Sequence, residues 1–201
     1  IVVDETLWLF EGRFRNKQHI PNKPHATGLK VFMTVDEKHF IYRYWIYRGH
    51  QPPIPTLVLD MVSTLPVAGH IIGADNYYGS LQLAERIHQL GHHFIFNVRS
   101  DRPSELWAFL IDEANRLQPK QWVSKADSAM FATVKKEHGR TVQFLSDCVD
   151  LTRTPTSSTH TTLSPVNDMY NHVSRFMDCA DAMIECYRFR HRYKHWTHAA
   201  L

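Results

Sequence analysis

Asp4 and Asp75 each follow a short apolar run, Ile1-Val2-Val3 and Ile71-Ile72-Gly73-Ala74, and lie 71 positions apart. Acids at the ends of strands in an α/β sheet stand where ligands bind, outside the packed core, although Asp is also an ordinary turn residue. A third acidic group, Asp178, Asp181 and Glu185, is spaced i, i+3, i+7 and shares one helix face. That face lies roughly opposite the apolar set Phe176, Ala180, Met183 and Tyr187. On periodicity alone, the plainer reading of a solvated helix face stays open. If the acids converge, the chemistry they suit is divalent-metal catalysis. Mg²⁺ and Mn²⁺ take hard oxygen ligands and keep several waters, and two such ions about 3.5–4 Å apart stabilise both the attacking and the leaving oxygen of an in-line phosphoryl displacement. Clustered carboxylates repel one another without the metal, so a metal-free site should show a raised pKa.

Other groups offer less. The tail Arg188-Phe189-Arg190-His191-Arg192-Tyr193-Lys194-His195-Trp196 interleaves cations with aromatics, a composition that suits phosphate contacts with stacking on bases or a solvated basic helix end. His191, His195 and His198 fall at i, i+4, i+7, but no HExxH motif accompanies them. No Gly-rich phosphate loop and no GxSxG elbow is present, which excludes the P-loop and α/β-hydrolase readings. Cys148, Cys179 and Cys186 form no CxxC pair and read as thiols, too few for a closed all-thiolate zinc site.

The elements that must position these groups follow from periodicity. Residues 29–35 and 40–47 are β-branched and aromatic around Asp36-Glu37-Lys38-His39, a hairpin signal that with the opening strand predicts three antiparallel strands. Ile54, Leu57, Val58, Met61, Val62 and Leu65 trace one helix face. A strand at 70–75, a helix from Ser80 to Leu90 closed by Gly91, and a strand at 93–98 come next. Trp107, Leu110, Ile111, Ala114 and Leu117 predict a further helix ending before Pro119, and residues 129–136 and 140–147 predict a hairpin. Residues 152–165 hold six Thr, three Ser and two Pro, too polar to pack and too Pro-broken for a helix. A last helical region starts at Ser164-Pro165 and carries Asp178 and Asp181.

The expected fold is therefore α/β, a mixed sheet of three antiparallel strands then further strands, flanked by helices. Its parts are 1–103, an insertion-like helix and hairpin at 104–151, a mobile linker at 152–165, and a C-terminal helical part at 166–201 that carries the third acid. The length of 201 residues suits a single domain, and 43% hydrophobic content supports a real core. No window has the roughly 18 consecutive apolar residues of a membrane helix, and the opening residues lack a signal-peptide pattern, so no membrane partner and a soluble intracellular protein are expected. A start without Met suggests an excised piece. Net charge is only +3, which permits nucleic acid without requiring it.

Four blocks in order resemble piggyBac-type DNA transposases. These are Asp4-Glu5 with Phe10-Glu11-Gly12-Arg13, Pro21-Asn22-Lys23-Pro24, Gly28 and Lys30; Asp75-Asn76-Tyr77-Tyr78-Gly79-Ser80 with Leu81, Leu83 and Ala84; Asn97-Val98-Arg99-Ser100; and Tyr170-Asn171 with Asp178 and Asp181. The resemblance implies an RNase H-like catalytic domain with Asp4, Asp75 and Asp178 as catalytic metal ligands, Asp181 as a fourth acid, and Mg²⁺ or Mn²⁺ as cofactor. It also implies DNA cleavage and strand transfer at transposon ends, with double-stranded DNA (ends and target) as partner, the nucleus as the place of action, and a homodimer left open. Arg13, Lys17, Lys23, Lys30, Arg99, Arg102, Arg188, Arg190, Arg192 and Lys194 would then line the DNA path. Two positions depart from the family pattern: Glu11 replaces a usual Lys, and Arg175-Phe176 replace Gly-Gly. Both favour a rival reading, a transposase-derived DNA-binding module without cleavage.

Overall fold

A computed structural model describes residues 1–10, 12–21, 26–101, 105–127, 130–148, 157–158 and 164–186. The opening apolar run starts β1 (Val2–Leu9), followed by β2 (Gln18–His19), β3 (Thr27–Val35) and β4 (Ile41–Ile46). β1 pairs antiparallel with β3 along its whole length, from Val2 opposite Val35 to Leu9 opposite Gly28. β4 returns on β3 through the expected turn. In that turn Asp36 Oδ1 accepts the N–H groups of Lys38 at 2.8 Å and Phe40 at 2.9 Å, which holds His39 in the left-handed region at φ 64°.

α1 (Ile54–Val62) starts on prolines that suit a first helical turn and buries Leu57, Val58, Met61 and Val62. Leu65 lies beyond its end. β5 (Ile71–Ala74) then lies parallel to β1, α2 (Leu81–Gln89) follows, and β6 (His93–Val98) lies parallel to β5. Ser80 caps α2, its hydroxyl oxygen accepting Leu83 N–H at 3.2 Å, and Gly91 supplies the positive φ of 78° just past the helix.

α3 (Glu105–Arg116) leads into the antiparallel run β7 (Trp122–Asp127), β8 (Met130–Lys136) and β9 (Thr141–Ser146), and β9 pairs antiparallel with β6. The stretch read as inserted thus extends the same sheet, with β7 as an extra strand that periodicity did not show. Of the segment expected to be a mobile linker, Ser157 and Ser158 form β10 on the edge of β7, while 152–156 and 159–163 lie outside the described residues. The strand order is β10-β7-β8-β9-β6-β5-β1-β3-β2, with β4 also on β3. No helix among the described residues is long and apolar enough to cross a membrane.

Alternation along the strands divides the core between two faces. Val3, Phe32, Ile72, Ala74, Phe94 and Phe96 pack with Leu57, Met61, Leu83, Ile87 and Leu110 from α1, α2 and α3. On the other face Val2, Val31, Met33, Ile95 and Phe144 pack with Val166, Val173, Phe176, Met177 and Ala180 of α4 (Pro165–Cys186). The expected apolar stripe of α4 needs correction: Phe176 and Ala180 are buried, but Met183 is 46% exposed, and Tyr187 lies outside the described residues. The face against the sheet is set instead by Val173 and Met177. A Cβ on Gly73 would collide with Val173 Cγ1, so the missing side chain lets α4 lie directly on β5.

Gly73→Ala should therefore cost about 1–3 kcal/mol of stability through overpacking, read by urea denaturation. Adding Val173→Ala should recover part of that loss, because the same contact is relieved.

Candidate active site

The parallel ladder between β1 and β5 has two pairs, Val2 with Gly73 and Val3 with Ala74. Asp4 and Asp75 are the next residues along each strand. One step past the β5–β6 pairing of Ala74 with Phe96 stands Asn97. By the two-residue alternation these three side chains belong to the face covered by α4, level with Met33 on β3 and Phe144 on β9. Asp4 does not end its strand, contrary to the sequence expectation. β1 runs on to Leu9 because residues 5–9 pair with β3, and what ends beside Asp4 is the parallel pairing.

Asp75 heads a tight turn. Its Oδ1 accepts Tyr77 N–H at 2.9 Å, and its backbone oxygen accepts Tyr78 N–H at 3.1 Å and Gly79 N–H at 2.9 Å. On the neighbouring strand Asp4 Oδ1 accepts Glu5 N–H at 2.8 Å. Both acids are half-buried, Asp178 is exposed, and Asp181 is intermediate.

Two tyrosines report the field these acids make. Tyr170, on α4, is held well above the ordinary phenol range, first by burial and then by Asp75, Asp4 and Asp178, while a hydrogen bond with Asn97 acts the other way. Its ring also packs on Phe144, with centroids 5.3 Å apart. Tyr78 is pushed up by burial, then by Glu5, Asp4 and Asp75. Acids from β1, the β5 turn and α4 therefore act on one hydroxyl, although they are far apart in the chain. Among the described residues no three His, Cys, Asp or Glu side chains form a ready metal-holding group. Hard carboxylate oxygens in a negative field match what Mg²⁺ takes, one or two protein carboxylates with water and substrate oxygens completing the octahedron.

The expected DNA contacts divide. Arg13 is exposed and Lys17 intermediate. Arg99 is also exposed, but its guanidinium grips Asp101 through two bonds of 3.1 and 2.7 Å. Lys30 lies over the rings of Phe32 at 4.8 Å and Tyr77 at 5.0 Å, a cation–π seat. Lys23, Arg102, Arg188, Arg190, Arg192 and Lys194, together with His191, His195 and His198 and the substituted Glu11, lie outside the described residues. Sequence reasoning gave no role to Tyr78, Asn97 or Tyr170. The signal for Asn97 was a lone polar residue in the otherwise apolar run 94–98.

The central order β4-β3-β1-β5-β6, antiparallel from β4 to β1 and parallel from β1 to β6, with helices on both faces, is the RNase H-like arrangement of an α/β domain. The transposase IS4 family model matches residues 1–201, and the chain belongs to that family. No curated protein sequence matches it. Among solved structures, the cryo-EM structure of a piggyBac transposase synaptic complex with hairpin DNA is similar, with a TM-score of 0.83 and 22% sequence identity over 99% of this chain and 43% of that one. The two share a fold, and this chain spans less than half the length of that relative.

Asp75→Asn should lower the titration midpoint of Tyr170 without returning it to the ordinary range, because burial is the larger cause. The ring carbon-13 shift of Tyr170, followed against pH in the metal-free chain, checks this; an unchanged midpoint would remove Asp75 from the neighbourhood.

Proposed function

We propose that this chain is the catalytic core of a piggyBac-like transposase, hydrolysing phosphodiester bonds and transferring DNA strands at transposon ends. The observation that carries the reading is the register that sets Asp4 beside Asp75 at the end of the β1–β5 ladder, on the sheet face covered by α4, the helix that contains Asp178. Those three acids are the proposed ligands for Mg²⁺ or Mn²⁺, with Asp181 as a fourth acid beside them. When bound, such a metal neutralises charge developing on the phosphoryl oxygens and makes water a stronger nucleophile. The chain's own residues do the rest. β1 and the β5 turn fix two carboxylates in the sheet, and α4 brings the third from outside it. Tyr170 stays protonated in this field and keeps a hydrogen-bond donor at the edge of the acid cluster.

The substrate of this reading is double-stranded DNA, supported by the hairpin DNA in the structurally similar complex. Of the four described cations in the expected DNA path, Arg99 is paired with Asp101 and Lys30 lies over two aromatic rings, which leaves Arg13 and Lys17 as the proposed phosphate contacts. The basic tail through Arg188, Arg190, Arg192 and Lys194 would extend that path. Action on chromosomal DNA in the nucleus, with a second copy at the paired ends, belongs to the same proposal.

Calorimetry with Mn²⁺ and cleavage of end-sequence oligonucleotides test it, on wild type and Asp75→Asn. The amide keeps the oxygen that accepts Tyr77 N–H, so folding stability should stay within about 1 kcal/mol while Mn²⁺ binding and cleavage are lost. DNA binding with neither metal binding nor cleavage in the wild type would instead identify a binding module.

A further inference from the structure

The parallel pairing between β1 and β5 ends one residue short of Asp4 and Asp75. The β1–β5 ladder stops at Val3 with Ala74, and past that point β1 follows β3 while the other chain turns toward α2. A link on the opposite face spans the gap. Tyr78, 1% exposed, donates its hydroxyl proton to Glu5 Oε2 at 2.5 Å. Glu5 follows Asp4 and donates its N–H to the Asp4 carboxylate, while Tyr78 belongs to the turn that Asp75 heads. Covalent and hydrogen bonds thus close a loop from Asp4 through Glu5 and Tyr78 to Asp75.

The post is rigid. The Tyr78 ring meets Phe32 edge-on at 6.3 Å and Tyr77 at 5.1 Å, and a hydroxyl bonded to a carboxylate is among the stronger hydrogen bonds available. Glu5 lies opposite Phe32, on the α1 and α2 side of the sheet, whereas Asp4 faces α4. Glu5 and Tyr78 therefore act on the acids from behind.

We infer that Tyr78, through Glu5, is a positioning residue that sets the separation of Asp4 and Asp75. The functional part of this inference rests on the reading of those acids as metal ligands; the mechanical part does not.

Two measurements on the full chain separate the parts: amide hydrogen exchange at Tyr77 and Gly79 without metal, and Mn²⁺ calorimetry. They are made on wild type, Tyr78→Phe, Glu5→Ala, Glu5→Gln and the double variant Tyr78→Phe with Glu5→Ala. Tyr78→Phe and Glu5→Ala should each speed exchange about tenfold and weaken Mn²⁺ binding about tenfold, the scale for losing a hydrogen bond to a charged group. The double variant should be no worse than either single one, because both break the same link. Glu5→Gln keeps an acceptor oxygen and should stay near wild type. A lower melting temperature for Tyr78→Phe with exchange and Mn²⁺ affinity unchanged would reduce Tyr78 to core packing and overturn the inference, as would effects that multiply in the double variant. If the wild type binds no Mn²⁺, the ligand reading fails, and the exchange rates alone decide for or against the link. Should Tyr78→Phe not fold, the contrast between Glu5→Ala and Glu5→Gln decides the same question: faster exchange in the first alone supports the link, and equal exchange in both overturns it.

Discussion

Two residue pairs, Val2 with Gly73 and Val3 with Ala74, join the antiparallel strands β1 to β4 to the rest of the sheet, which begins with the parallel pair β5 and β6. Parallel strands cannot be linked by a tight turn, so the chain makes β3, β4 and α1 before it returns as β5. The seam is short because its two strands have different obligations beyond it. β1 must continue as the partner of β3, and β5 must turn to start α2. A ladder that ends inside the protein exposes backbone and side chains that no neighbouring strand covers, and the acids stand at that place.

The location has an energetic cost. Burial first, and then the carboxylates near the seam, hold Tyr78 and Tyr170 in their protonated forms. Each hydroxyl is tied to a polar partner, Tyr78 to Glu5 and Tyr170 to Asn97, as buried polar groups in a low-dielectric setting require. The aromatic bodies meanwhile pack on their neighbours, Tyr78 on Phe32 and Tyr170 on Phe144.

Much of this was legible in the sequence, for physical reasons that can be named. β6 and α2 carried their own punctuation: a bounded apolar run at 93–98, Ser80 as a cap whose hydroxyl does bond Leu83 N–H, and Gly91 with its positive φ. Asp4 and Asp75 stood out as acids closing apolar runs. The extent of β1 was not legible, because residues 5–9 owe their strand conformation to β3. β2 and β10 are two residues each and exist only through pairing. The α4 stripe was misread since Met183 and Phe176 have the right spacing for one face, while the sheet selects a face by where Gly73 leaves room for Val173. Tyr78 and Tyr170 stood only as members of motif blocks, with no role of their own. Their polar ends matter only once distant acids are folded beside them.

The way α4 is attached has a consequence for how such a chain can change over generations. Its seat on the sheet is defined by Val173 on Gly73, by the Tyr170 contacts and by a band of buried apolar residues, all internal to the two surfaces. A larger residue at position 73 is therefore tolerable only where position 173 gives up volume, so the two are free to change as a pair and not singly.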